Sequence, residues 1–541
     1  MHLAVITLKH RRATVVALQQ AGTAPAFTFR DNENGLALST NADRVFSNQH
    51  LEGNLKAHSV RSVGFTVSAQ GLKLLFQLIS ITVLARLLEP SDFGLVAMVA
   101  VFTGLAIAFM EGGLSMATIQ RPHITHPQVS NLFWINVALG GLLCLLYIVV
   151  SPLVAWMYGE KELIGIMSAL SLFFLIGGLS VQHEAILKRQ MSFRALAIIE
   201  VVANFVGVAV AITMAWQGFG YWSLVGQQIA TITVMSIMRW QAAHWVPGWL
   251  SRDSGTRSLL GFGLNLTGAN FVGYFATNIT PFGVGLVGGA QPLGLYDRAF
   301  KLTSIPSKQL LPPVFNVFQS ALARVAEDRQ RLRSAIVSLE GKIALVTTFV
   351  TTFMVVSADW LVAVLLGDGW GEAVLMFQLL AAFSVVEPIS SFTAISLVAT
   401  GESKALLRWK LVSFFILLTA IVIGSYWGVM GILVAHAISS FFIRMPLFLL
   451  YSTRFLPIGI LDHVRSLVPC LLIGLTTGCM LVALRLVYTP QTPILALLMF
   501  GATGAALYLV LSLAVRRPRQ DVSELMGMAQ TIVKRKQRQA S

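Results

Sequence analysis

The sequence predicts an all-α integral membrane protein of fourteen transmembrane helices, built as two six-helix lobes in parallel repeat plus two C-terminal helices. Three observations predict it. The chain is 55% hydrophobic and only 12% charged, with a mean hydropathy of +0.73, whereas soluble domains carry about 25% charged residues. Apolar runs of about 20 residues, the length that crosses a bilayer, recur along it. A corner sequence near residue 90 also recurs near residue 290.

Taken in order, the runs cover roughly 63–86, 93–112, 129–151, 163–182, 196–217, 220–239, 259–287, 293–318, 339–358, 372–399, 407–426, 428–450, 466–488 and 493–515. Turns such as "QGFGYW" (217–222) and "SYWGVM" (425–430) are short, so the helices they join pack antiparallel. Basic residues gather in alternate loops: Arg121, then Lys188, Arg189 and Arg194, then Arg239, Arg252 and Arg257, and on through Arg324–Arg333, Lys404–Lys410 and Arg454–Arg465. The other loops lean acidic through Glu89, Asp92, Glu160, Glu162, Asp368 and Glu372. The positive-inside rule then puts both termini of a multi-pass membrane protein in the cytoplasm.

This topology accounts for a net charge of +15, with some contact to anionic headgroups, and removes nucleic acid as a partner. Residues 1–55 contain no long apolar stretch and read as a disordered leader or an overlong start. The expected organisation is that leader, an N-lobe over 56–245, a C-lobe over 246–455, two further helices over 456–515 and a basic cytoplasmic tail over 516–541. Cys144, Cys470 and Cys479 all fall in apolar runs, without disulfide or metal spacing.

The repeat rests on two echoes. "ARLLEPSDFGL" (85–95) aligns with "GLVGGAQPLGL" (285–295) at an offset of 200, bringing Gly94 and Leu95 onto Gly294 and Leu295. "FGYWSLVGQQIA" (219–230) aligns with "WGVMGILVAHAI" (427–438) at an offset of 208. Both echoes join spans six apart. Parallel repeats related by an axis along the membrane normal are a transporter architecture, with the substrate path between the halves.

Polar residues inside the spans mark that path. Thr66, Gln70, Lys73, Gln77 and Ser80 share one face of the first span, and Asn270, Thr277 and Thr280 stand opposite Gln70, Gln77 and Ser80 at the repeat offset. Arg298, Lys301 and Lys308 follow at spacings of 3 and 7 on one face of the eighth span, a ladder stepping inward over roughly 15 Å. A mid-membrane charge costs at least about 2.5–3.5 kcal/mol on insertion scales, so it faces a cavity or a partner. A lipid diphosphate suits such a ladder, Arg meeting it as a fork and Lys as a point charge. The structural alternative is that Arg298 pairs with Asp297 and that Lys308 lines a kinked helix. Among the buried carboxylates Glu111, Glu200 and Glu387, Glu387 in "VVEPIS" is the candidate for H+ or Na+ coupling, against a helix-end or ion-pair role. His436 reads as a core histidine. Walker, GxSxG and HExxH motifs are missing, and no cofactor or metal site is expected, so the chain does not read as an enzyme.

"LARLLEPSDFGLVAM", "EGGLSMATIQRPHIT", "LKRQMSFRALAIIEVVA", "GYFATN" and "LGLYDRAFKL" together resemble the Wzx-type polysaccharide exporters, the colanic-acid and O-antigen branch of the MATE-like flippase superfamily. The resemblance covers about residues 60–515. It implies alternating access by rocking lobes and transfer of undecaprenyl-diphosphate-linked oligosaccharide from the cytoplasmic to the periplasmic leaflet. Partner polysaccharide polymerase and glycosyltransferases follow from the same resemblance. One departure stands out: where the family carries an Asp and then an Ile-Gly-Arg after "YFATN", this chain has Thr280 and Leu286. Two other readings compete: a multidrug-type ion-coupled antiporter, whose cavity should be acidic and aromatic, and a non-transporting scaffold for polysaccharide synthesis enzymes.

Overall fold

In hydrocarbon every backbone polar group must be satisfied within the chain, and these apolar runs meet that demand as helices. The structure, a computed structural model, describes residues 55–111, 114–121, 124–251, 274 and 277–527, within the unit Val45–Ser541. Residues 1–54 of the expected leader, residues 528–541 of the basic tail and Asn270 lie outside the described residues.

A first group of helices comprises α1 (Leu55–Leu87), α2 (Pro90–Glu111), the short α3 (Leu114–Gln120), α4 (His126–Tyr158), α5 (Glu162–Gly178), α6 (Val181–Arg189), α7 (Phe193–Trp216) and α8 (Trp222–Ala243). A second begins with α9 (277–288). It continues through α10 (Ala290–Arg324), α11 (Arg329–Val356), α12 (Ala358–Leu365), α13 (Ala373–Phe383), α14 (Val386–Ala399), α15 (Ser403–Ser425), α16 (Gly428–Ile438) and α17 (Met445–Ser452). A π-helical turn, Ser439–Arg444, joins the last two. Then come α18 (Ile460–Val487) and α19 (Pro493–Ala514), and α20 (516–527).

Ten described helical segments are long and apolar enough to cross a membrane, or eleven when α5 and α6, bent by 40°, count as one span. Fourteen spans are therefore not established by apolar length. Of the other three expected, α8 and α10 form as full helices but carry too many polar groups, and the run at 259–287 is mostly outside the described residues. The breaks have local causes. Pro388 lacks an N–H and its ring crowds the carbonyl four residues back, at Ser384, where α13 gives way to α14.

The ends are set locally too. Pro90 starts α2 while the Glu89 amide donates to Asp92 Oδ2 at 3.1 Å. Asp328 Oδ1 accepts from the amides of Gln330 and Arg331, both at 3.0 Å, to cap α11. α18 is anchored on α11 by a buried pair, His463 Nδ1 and Glu340 Oε1 at 2.7 Å. Lys342 on α11 also reaches Glu524 of α20 at 2.6 Å and holds that carboxyl below its ordinary range.

The repeated corner explains how the two groups meet. A Cβ on Gly94 would sit 1.7 Å from the carbonyl oxygen of Ala290, and one on Gly294 would sit 1.7 Å from that of Pro90. Positions 90 and 94 correspond to 290 and 294 at the offset of 200, so each copy of the corner presses its backbone into the other. Only glycine permits an approach this close. The surrounding contacts repeat the reciprocity. Trp370 Nε1 donates to the carbonyl of Ala85 at 2.9 Å, while at the equivalent Gly285 a Cβ would lie 2.9 Å from the Tyr158 ring. Arg86 Nη2 adds a bond to the Val364 carbonyl at 2.9 Å. The corner is written twice because its copies form the two sides of one seal.

Candidate functional site

Beneath the seal lie two adjoining cavities of about 390 and 510 Å³ that share Asn204, Leu224, Gln227, Arg298 and Lys301. α1 contributes Gln70, Lys73, Gln77 and Ser80, which its helical period places on one face. α10 contributes Arg298 and Lys301, and α7 and α8 contribute Asn204 and Gln227. Lys73 stands fourteen residues before the end of α1 and Arg298 eight residues into α10. At about 1.5 Å per residue the site runs from about 12 to about 21 Å below the corner.

The charges are partly neutralised. Lys73 pairs with Glu200 of α7. Asp297 accepts from Arg298 Nη2 at 2.9 Å and from Lys301 Nζ at 2.8 Å. Three cations, Lys73, Arg298 and Lys301, against two carboxylates, Glu200 and Asp297, leave the cluster at +1. Arg298 is only 7% exposed and its guanidinium lies 4.1 Å above the Phe93 ring, so it is fixed in place. Lys301 remains half exposed. Gln227 Nε2 donates to Ser80 Oγ at 3.4 Å across the floor.

The structure thus brings together Gln70, Lys73, Gln77, Arg298 and Lys301. It separates Lys308, whose ammonium lies 5.0 Å from the Phe300 ring and which lines neither cavity. The ladder accordingly has two rungs here rather than three, both tied to Asp297. Asn204, Gln227, Asp297 and Glu200 complete the site. Only Asp297 and Glu200 drew attention in the sequence, and neither was assigned to the site.

Thr277 and Glu387 line a different cavity of about 300 Å³ in the second helix group, together with Thr280 and His436. His436 Nδ1 and Thr280 Oγ1 are 2.7 Å apart, so the Thr that replaces the expected Asp has a defined partner. Arg444 also lines this cavity. It stands within the apolar run "FFIRMPLF", where an intramembrane charge is itself a functional signal. Among the described residues no group of three or more His, Cys, Asp or Glu is placed to hold a metal ion.

The chain has relatives among known proteins. The family described as "Polysaccharide biosynthesis protein" matches residues 83–375, just over half of the chain. The chain is similar to the lipopolysaccharide biosynthesis protein WzxC of Escherichia coli (strain K12), 24% identical over 362 residues that cover 66% of this chain and 73% of the relative. It is also similar to the succinoglycan biosynthesis transport protein ExoT of Rhizobium meliloti (strain 1021), 25% identical over 84% of this chain and 93% of the relative. Among solved structures, the lipid II flippase MurJ in an inward closed conformation superposes with a TM-score of 0.67 at 14% identity, covering 84% of this chain and 98% of that one. An inward-facing multidrug resistance MATE transporter follows at 0.55 and 16%, covering 72% and 97%. These structural likenesses concern the fold.

Proposed function

The chain belongs to the polysaccharide biosynthesis protein family, and from that premise we propose that it is a flippase. It moves undecaprenyl-diphosphate-linked oligosaccharide from the cytoplasmic to the periplasmic leaflet by alternating access, without a chemical step on its cargo. The observation that carries the reading is the polar, net-cationic cavity lying under a closed, reciprocal corner. The names of the relatives, a succinoglycan biosynthesis transport protein and a lipopolysaccharide biosynthesis protein, support it.

The physical need is plain. Carrying a sugar chain and a diphosphate through hydrocarbon forfeits hydrogen bonds at several kcal/mol per buried polar group, and far more per unpaired charge. A cavity lined by amides and cations replaces those bonds while the isoprenoid tail stays in lipid. In this reading the closed corner faces the periplasm and the cavity receives cargo from the cytoplasmic side, with both termini cytoplasmic in a fourteen-helix, two-lobe protein of the inner membrane. The incoming diphosphate exchanges with Glu200 at Lys73 and with Asp297 at Lys301, while Arg298 supplies the fork. Glu387 is the proposed H+ or Na+ coupling site, and polymerase and glycosyltransferases are the proposed partners. The cationic lining disfavours a carrier of cationic drugs.

Binding tests the site. In nanodiscs, an undecaprenyl-diphosphate-linked sugar should bind wild type at least about tenfold more tightly than the K73A/R298A/K301A variant of equal thermal stability, since hydrogen bonds to charged groups contribute about 1.5–3 kcal/mol each. Equal affinity would move the diphosphate elsewhere.

A further inference from the structure

Arg444 presents an unresolved charge. Its Nε donates to Ser413 Oγ at 2.8 Å and its Nη1 to Ser440 Oγ at 3.1 Å. Among the described residues no carboxylate stands within ion-pairing distance of it. A guanidinium deep in a membrane span, held by two neutral hydroxyls, is oriented without being neutralised. It sits at the end of a π-helical turn, a feature frequent at functional sites, and it faces the 300 Å³ cavity.

The rest of that cavity limits what can neutralise it. Thr303, Ser304 and Ser390 offer hydroxyls, and Trp409, Phe300 and Phe448 offer aromatic surface. Trp409 is held flat against Phe448, with ring centroids 5.0 Å apart at 12°. Rings beside hydroxyls suit a sugar, whose apolar face packs on an aromatic while its edge hydrogen-bonds. Glu387 faces the same space without an ion pair among the described residues. It can accept hydrogen bonds from sugar hydroxyls, and its negative charge opposes a compact dianion more than a singly charged sugar.

Access fits as well. α10 divides this cavity from the cationic one: Tyr296, Phe300 and Thr303 line the one, Arg298 and Lys301 the other. Thr277, one of its lining residues, is exposed and stands three residues beyond Tyr274. The Tyr274 hydroxyl donates to the Val101 carbonyl of α2 at 2.6 Å, so the chain just before Thr277 touches the first helix group.

We propose that this second cavity receives a carboxylate-bearing sugar unit, with Arg444 as the partner of the carboxylate and Trp409 as the platform for the ring. The assignment rests on the flippase reading and narrows its cargo to oligosaccharides that contain an acidic sugar.

The test uses the full chain in nanodiscs with glucuronate as probe, measured by calorimetry. Glucuronate should bind at least about tenfold more tightly than glucose, chloride or inorganic phosphate, and R444Q should weaken it by about tenfold or more, as expected for a lost charge-assisted fork. K73A/R298A should leave it within about twofold, because those side chains line the other cavity. If R444Q does not fold, S413A/S440A carries the test by releasing the guanidinium without removing it, with an expected loss of about threefold. Glucuronate binding indifferent to these changes, binding no tighter than that of glucose, chloride or phosphate, or no binding by a wild type that still binds the diphosphate lipid, overturns the proposal. Loss of diphosphate-lipid binding in wild type would instead count against the flippase reading itself.

Discussion

Lys73 and Glu200 lie 127 positions apart in the chain and meet in the central cavity. That pair keeps Lys73 from standing as a bare ammonium in the membrane, and it sets a competition: cargo has to displace the carboxylate. Glu200→Gln should therefore tighten binding of the diphosphate lipid by about three- to tenfold, the range of a partly exposed ion pair. Release should slow, and transport should fall even as affinity rises. Unchanged affinity in a binding titration would mean that the cargo never meets Lys73. At this scale the sequence was half legible. Intramembrane cations announce themselves, because a charge in an apolar run needs a reason, and Gln70 and Gln77 followed from their shared face with Lys73. Asn204 and Gln227 gave no sign, since nothing in local spacing says which helices will face each other. Lys308 misled because periodicity places a side chain on a face without saying how far the cavity extends along it.

Elements show the same division. Helices that are apolar all round were readable from length alone, whereas α8 and α10 are marginal by composition because they carry the polar wall. The breaks inside spans had their signal in Pro388 and in the "FFIRMP" turn, yet a continuous apolar run hides them. The corner was legible as a repeat, and its use became visible only in the structure, where Gly94 and Gly294 interlock. Gly94→Val should keep the corner from sealing, since the first added carbon would already sit 1.7 Å from the Ala290 carbonyl. In a cysteine-free background, a cysteine at the buried Ala290 should become reactive toward an impermeant maleimide added from the periplasmic side, with transport down at least about tenfold. Continued protection of that cysteine would show that the corner is not the periplasmic gate.

For the molecule as a whole, composition and repeat both pointed to a membrane carrier of the two-lobe kind, and in the proposed cycle the reciprocal corner is the contact that parts when two such lobes rock. Alternating access further requires that the cationic cavity be reached from one side at a time, with the tail of the cargo left in lipid. The most direct measurement is leaflet transport in proteoliposomes. A fluorescent undecaprenyl-diphosphate oligosaccharide is followed from one leaflet to the other, with wild type set against K73A/R298A/K301A of matched stability and orientation. The account predicts transport by wild type and, in the variant, a rate reduced by at least about tenfold toward that of protein-free vesicles. Equal rates for the two proteins, both above protein-free vesicles, would contradict the cationic cavity as the path; no transport by wild type with its native sugar supplied would contradict the flippase itself.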